Sequence, residues 1–121
     1  MENSASNLQL LEAEVAVSVV FVVAPKMTPF SFGDEPLQEG ESAGVTCIVS
    51  AGDQPLELSW WLNQEKLDPN RSDVSIISGK RSTTLTIDSV TGNLAGNYTC
   101  MAKNAAGRAE VTAQLVVNGS S

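Results

Sequence analysis

A chain of 121 residues has room for one domain with a substantial core. Hydrophobic residues at 42% and charged residues at 17% are a globular balance. Fourteen acidic against seven basic side chains give a net charge of −7, which argues against nucleic acid or an anionic membrane surface as partner. Histidine is absent, and with it the commonest general base and metal ligand. Two cysteines alone cannot build a four-cysteine or Cys2His2 zinc site. No grouping of acid, base and nucleophile is visible, so the expectation is a non-enzymatic protein without cofactor, metal or small-molecule substrate.

In chain order, Met1 to Leu11 is polar, and Val15 to Ala24 is nearly all apolar but too short to cross a bilayer. A secretory signal would explain the apolar run and the small residue Ala24 before a cut, with Val22 at the −3 position. Glu2, Glu12 and Glu14 oppose it, as does Pro25 directly after that cut. The alternative is a linker or the end of a preceding module. The expected division is an extension over 1–23, a domain over 24–118 and a short tail over 119–121.

From Gly40 to Val117 apolar residues recur at every second position. Val45, Cys47 and Val49 form one such run, and Leu56, Leu58, Trp60 and Leu62 the next. Val74 and Ile76, Leu85 and Ile87, and Tyr98, Cys100 and Ala102 follow, and Val111 to Val117 closes the series. Period two buries one face of a strand and exposes the other. Turn residues separate the runs at Ala51-Gly52-Asp53, Asp68-Pro69-Asn70, Ser78-Gly79-Lys80 and Asn104-Ala105-Ala106-Gly107, where Gly107 is expected to supply a positive φ. Short strands at this spacing predict an all-β antiparallel sandwich or barrel.

Cys47 and Cys100 fall on inward positions of two strands. Trp60 follows Cys47 by thirteen residues, and Tyr98 precedes Cys100 by two. That order is the signature of the immunoglobulin-like two-sheet sandwich. It implies an inter-sheet disulfide between Cys47 and Cys100, packed on Trp60, with Tyr98 as a tyrosine corner; two free buried thiols are the alternative. Leu37 to Ser42 and Ala102 to Gly107 resemble the I-set subtype. In that subtype an Asp usually stands at the position of Leu94 and pairs with an Arg, so Arg71 is expected to lack its usual partner.

The run Ala24-Pro25-Lys26-Met27-Thr28-Pro29-Phe30-Ser31-Phe32-Gly33-Asp34-Glu35-Pro36 is more distinctive. With Gly79-Lys80-Arg81-Ser82, Leu85 to Val90 and Ala95 to Cys100, it resembles the arthropod Down syndrome cell adhesion molecule (Dscam) family over residues 24–119. The likeness is to the alternatively spliced seventh immunoglobulin domain, or to its counterpart in the short chelicerate forms. It implies an extracellular module of a single-pass cell-surface or secreted glycoprotein, flanked by further immunoglobulin domains. It also implies isoform-specific homophilic binding between identical copies, as in neuronal self-avoidance and axon guidance. The partner would be a second copy in a weak two-fold dimer, meeting through the sheet of the first, second, fourth and fifth strands.

Alternation places Thr46, Ile48, Ser75, Ile77, Thr84, Thr86 and Asp88 on the outer side of that sheet, with Lys80 and Arg81 nearby. Scattered surface isoleucines are also ordinary. On the other sheet Trp61, Met101 and Lys103 point outward, with Lys103 a candidate to cover the indole. Asn70, Asn97 and Asn118 each begin an Asn-x-Ser/Thr glycosylation sequence. The rival function is a structural I-set spacer of the cytoskeletal, titin-like kind or part of a heterophilic receptor.

Overall fold

The computed structural model describes residues 21–119. The strands are β1 (Lys26–Thr28), β2 (Leu37–Gln38), β3 (Ala43–Ala51), β4 (Glu57–Leu62) and β5 (Glu65–Lys66), followed by β6 (Ser75–Ser78) and β7 (Ser82–Ile87). A 3-10 turn at Gly92–Leu94 leads to β8 (Gly96–Asn104), β9 (Gly107–Leu115) and β10 (Val117–Asn118). One antiparallel sheet has the order β1-β3-β7-β6, and the other β9-β8-β4-β5. A short parallel pair, β2 with β10, joins the start of the domain to its last strand.

The two inner faces are the period-two positions of the sequence. Val45, Cys47 and Val49 on β3, and Thr83, Leu85 and Ile87 on β7, face Trp60, Tyr98, Cys100 and Ala102 of the opposite sheet; all are buried. Cys47 and Cys100 form a disulfide that closes a separation of 53 residues, and no free cysteine remains. Among the described buried residues Thr83 is the polar one. Its hydroxyl accepts from Trp60 Nε1 at 3.0 Å and from Ser78 Oγ at 2.7 Å, so the indole N–H is paired inside the core. Val74 is buried and Ile76 half-buried, as alternation requires.

The distinctive Pro29 to Pro36 run does a structural job that its sequence concealed. Proline cannot donate to a ladder, and between the two prolines the chain leaves β1 and reaches β2. Phe30 packs edge-on against Trp60 and Phe32 edge-on against Tyr98, both with ring centroids 5.3 Å apart. The two phenylalanines therefore close the core over its two signature aromatics.

The expected β4 starts one residue later than its apolar run, with Leu56 half-buried in the preceding loop. Residues Asn63 and Gln64 link β4 to β5 with φ of 50° and 72°, the two positive values a tight two-residue hairpin needs. The Asn63 side chain then folds back, its Oδ1 accepting from Asn97 N at 3.0 Å. Gly96 permits this: a β-carbon there would lie 2.5 Å from that same Oδ1, and its φ is 144°. At the β8–β9 hairpin, Gly107 has the expected positive φ, 158°. Asn104 also shapes the turn: its Oδ1 accepts from the amides of Ala106 (2.9 Å) and Gly107 (3.2 Å).

The expected extension mostly lies outside the described residues. Its last residue, Val23, is tied to the sandwich: its amide donates to Asp53 Oδ2 at 2.7 Å, and its carbonyl accepts from Asn104 Nδ2 at 2.7 Å and Asp53 N at 3.0 Å. Among the described residues no helix is long and apolar enough to cross a membrane.

Candidate functional site

The outer side of the β1-β3-β7-β6 sheet is where alternation directs the seven candidate residues. Thr46 on β3 lies opposite Thr84 on β7, which in turn lies opposite Ile77 on β6. The two threonine hydroxyls are 3.1 Å apart and satisfy one another across the sheet. In the flanking rows, Ile48 pairs with Ser82, and Gly44 with Thr86 and then Ser75. Ile77 is 73% exposed and Ile48 45%, the two largest apolar groups on the face. Asp88 stands just beyond the end of β7, and its carbonyl accepts from Ser42 Oγ at 2.7 Å. It borders an open hollow of about 360 Å³ lined also by Ser42, Asp73, Ser75 and Thr86. Lys80 lies at the other end, in the turn between β6 and β7. Its neighbour Arg81 is engaged elsewhere, donating from Nη2 to the Gly52 carbonyl at 2.8 Å.

Sequence reasoning left out Gly44, which has no side chain to register in a pattern of alternating residue types. Its presence one residue inside the start of β3, on the exposed side, was the available signal.

Arg71 lacks its usual partner, as expected, but has another. Leu94 occupies the usual acidic position and is buried, but Asp73 takes over: Arg71 Nε donates to Asp73 Oδ1 at 2.8 Å and Nη2 donates to Oδ2. The hydrogen bond from Arg71 holds the Asp73 carboxyl below its ordinary range, and the same bond raises the Arg71 guanidinium. The pair is solvent-exposed, so its contribution to stability is small.

Tyr98 is a working corner. Its hydroxyl donates to the Leu94 carbonyl at 2.6 Å, four residues upstream, and the side chain is fully buried. Burial pushes the phenol up to about 12, with smaller effects of Arg71 and Asp73. The unfolded phenol titrates near 10, so this group's stabilisation is complete below pH ~10 and is lost as pH rises through the folded value. Tyr98→Phe leaves the Leu94 carbonyl buried without its donor, and we expect a loss of about 1–3 kcal/mol. In chemical denaturation the variant also loses the Tyr98 part of the alkaline decline between pH ~10 and ~12.

On the second sheet, Trp61 is half-buried and its Nε1 donates to Ser59 Oγ at 3.0 Å. Lys103 does not cover it. The register sets Trp61 against Thr99 and Lys103 against Glu57, four residues away along β8, or about 13 Å at strand rise. The indole instead shares a shallow groove of about 270 Å³ with Gln64, Thr99, Met101 and Glu110.

Asn70, Asn97 and Asn118 are all exposed. Asn70 follows Asp68, whose Oδ1 accepts from its amide at 2.9 Å, in the loop between β5 and β6. Asn97 lies on β8 and Asn118 on β10. None of the three is on the β1-β3-β7-β6 sheet. Among the described residues no group of three or more metal-ligating side chains is present.

Residues 27–117 match the immunoglobulin I-set domain family. The sequence is 36% identical over 115 residues to the cell adhesion molecule Dscam1 of Drosophila melanogaster, covering 94% of this chain and 6% of that protein. It is 37% identical over 114 residues to Dscam2 of the same species, covering 93% of this chain and 5% of that protein. The chain thus spans about one twentieth of the length of these two relatives. Among solved structures, the Ig7 domain of Dscam1, isoform 9, superposes with a TM-score of 0.75 at 38% identity, over 78% of this chain and all of that one. An I-band fragment of titin, I67–I69, superposes with a TM-score of 0.72 at 28% identity, over 84% of this chain and 34% of that one. With its disulfide, buried tryptophan and tyrosine corner in place, the chain belongs to the immunoglobulin I-set family.

Proposed function

We propose that this domain is an extracellular adhesion module that binds a second copy of itself through the outer face of the β1-β3-β7-β6 sheet. The observation that carries the reading is the exposure of Ile77 and Ile48 on a threonine-rich face that no element among the described residues covers. A two-fold contact uses every residue twice, so two isoleucines per copy form the apolar centre of a weak interface. Thr46, Ser75, Thr84 and Thr86 surround that centre, and Asp88 and Lys80 form its charged margin. The three glycosylation sequences at Asn70, Asn97 and Asn118 all lie off this face, which leaves it free if glycans are attached. Likeness to Dscam1 and Dscam2, both cell adhesion molecules, supports the same reading, with flanking immunoglobulin domains in the longer protein.

The spacer reading draws on the titin fragment. Pairing of Cys47 with Cys100 favours an oxidising, extracellular setting over a cytoskeletal one.

Self-association tests the proposal, in sedimentation equilibrium and in aggregation of beads displaying the chain. Ile77→Asp places a charge in the apolar centre twice per dimer and is expected to abolish association while leaving the melting temperature nearly unchanged. Unaltered association would refute the assigned face.

A further inference from the structure

The outer face of the second sheet sets a half-buried indole beside a glycosylation sequence. Asn97, Thr99 and Met101 alternate along β8 with the inward Tyr98 and Cys100, so all three stand on that outer face. Register sets Thr99 between Trp61 on β4 and Thr112 on β9, and Asn97 opposite Gln114 one row away. Trp61 is therefore the diagonal neighbour of Asn97 across a strand pair, a separation of about 7–8 Å that aromatic and long side chains bridge. We infer that Asn97 carries an N-linked glycan whose first N-acetylglucosamine lies along β8 over the Trp61 indole, in the groove bordered by Gln64, Met101 and Glu110. The inference rests on the extracellular setting proposed above, but not on self-association.

The chemistry of the groove fits a sugar. Trp61 Nε1 donates to Ser59 Oγ at 3.0 Å, so the ring is tied to its own strand and its polar group needs nothing from a ligand. What it offers is a ring face, the negative side of the aromatic quadrupole. A pyranose matches it with a face of C–H groups and carries its hydroxyls and acetamide around the edge. Gln64, which donates and accepts, and Glu110, which accepts, stand where that edge would lie. An apolar side chain seated there would offer these two groups no partner. The groove holds about 270 Å³, below the ~300–1,000 Å³ of pockets that enclose a drug-sized ligand. One sugar ring suits it.

Asn97 is placed to deliver that ring. Its side chain is exposed, and among the described residues only its backbone is engaged. The amide donates to Asn63 Oδ1 at 3.0 Å, and the carbonyl accepts from the Asn63 amide at 2.9 Å. These bonds also hold the β4–β5 hairpin that carries Gln64, so the glycan acceptor and one wall of the groove are fixed to each other. Between Asn97 and the indole, the Thr99 and Thr112 hydroxyls bond one another at 2.7 Å. The floor is thus already satisfied when a sugar covers it. Asn70, in the loop after β5, and Asn118, on β10, do not belong to this groove.

The test keeps Asn97 as the single glycosylation sequence, through Asn70→Gln and Asn118→Gln, and secretes that chain from eukaryotic cells behind an added signal peptide. Endoglycosidase trimming leaves one N-acetylglucosamine, detected by mass spectrometry of the peptide around Asn97. The same chain made in bacteria, with its disulfide oxidised, is the sugar-free reference. Trp60 is 2% exposed, so acrylamide quenching of fluorescence reports Trp61; the single sugar should remove most of that quenching. It should also raise the melting temperature by about 4 °C, and Trp61→Ala should erase the gain while Asn97 stays modified. An unmodified Asn97 overturns the inference. So does a modified one that leaves the indole as open to acrylamide as in the reference, or that keeps its full stabilisation in Trp61→Ala. Bead aggregation plays no part in these readouts, so a failure of the homophilic reading would be seen separately.

Discussion

Replacing both cysteines, Cys47→Ala with Cys100→Ala, is expected to lower the unfolding free energy by about 4 kcal/mol. The bond closes a separation of 53 residues between the two sheets, and chain entropy for a loop of that length gives this magnitude. For a domain of this size the loss corresponds to a fall in melting temperature of about 15–30 °C. Because native domains are stable by only ~5–15 kcal/mol, a measurable fraction of the variant unfolds on warming to body temperature. Calorimetry of the variant against the oxidised protein reads the difference. A change below about 1 kcal/mol would mean that the tie adds nothing to a core already fixed by packing.

Trp60→Ala is the second large effect. The indole is 2% exposed and lies at the centre of the core, in edge contact with Phe30. Truncation removes that contact and opens a cavity, which costs about 3–5 kcal/mol. It also deletes the donor to Thr83, although Thr83 keeps the Ser78 hydroxyl. Trp60→Phe narrows the difference: it keeps an aromatic ring in the core but loses the N–H and two ring carbons, so a cost of about 1–3 kcal/mol is expected. Urea titrations of the two variants supply the comparison, and equal costs would assign the whole effect to the hydrogen bond.

Alternation made both sheets legible. Cys47, Trp60, Leu85, Tyr98 and Cys100 are inward residues on runs of period two, and a strand offers each side chain only two directions. The same rule placed Thr46, Ile48, Ser75, Ile77, Thr84 and Thr86 together on the opposite side of their sheet. Contacts made by irregular backbone were not legible. Phe30 and Phe32 cap the core from a segment between two prolines, where no period states which way a ring points. Arg71 finds Asp73 because the loop between them turns, a shape that residue types do not encode. Lys103 and Trp61 share an outer face, yet pairing register, which depends on the turns at both ends, separates them by four residues along the strand. Gly96 was visible as part of the motif around Tyr98, but its reason lies in Asn63, 33 residues earlier.

The hydroxyl of Thr83 has a consequence for how the domain responds to reductants. Trp60 belongs to one sheet and Thr83 to the other, so the hydrogen bond between them crosses the sandwich without involving sulfur, while Ser78 holds the Thr83 hydroxyl from the neighbouring strand of its own sheet. Opening the Cys47–Cys100 bond therefore leaves a second, redox-blind gauge of how the sheets are aligned. The reduced protein should be a shallower energy well with the same surface, and Ile48, Ile77 and the threonine ladder stay where they were until the whole domain unfolds. Reductants would then set how long such a module survives, and leave untouched what it recognises.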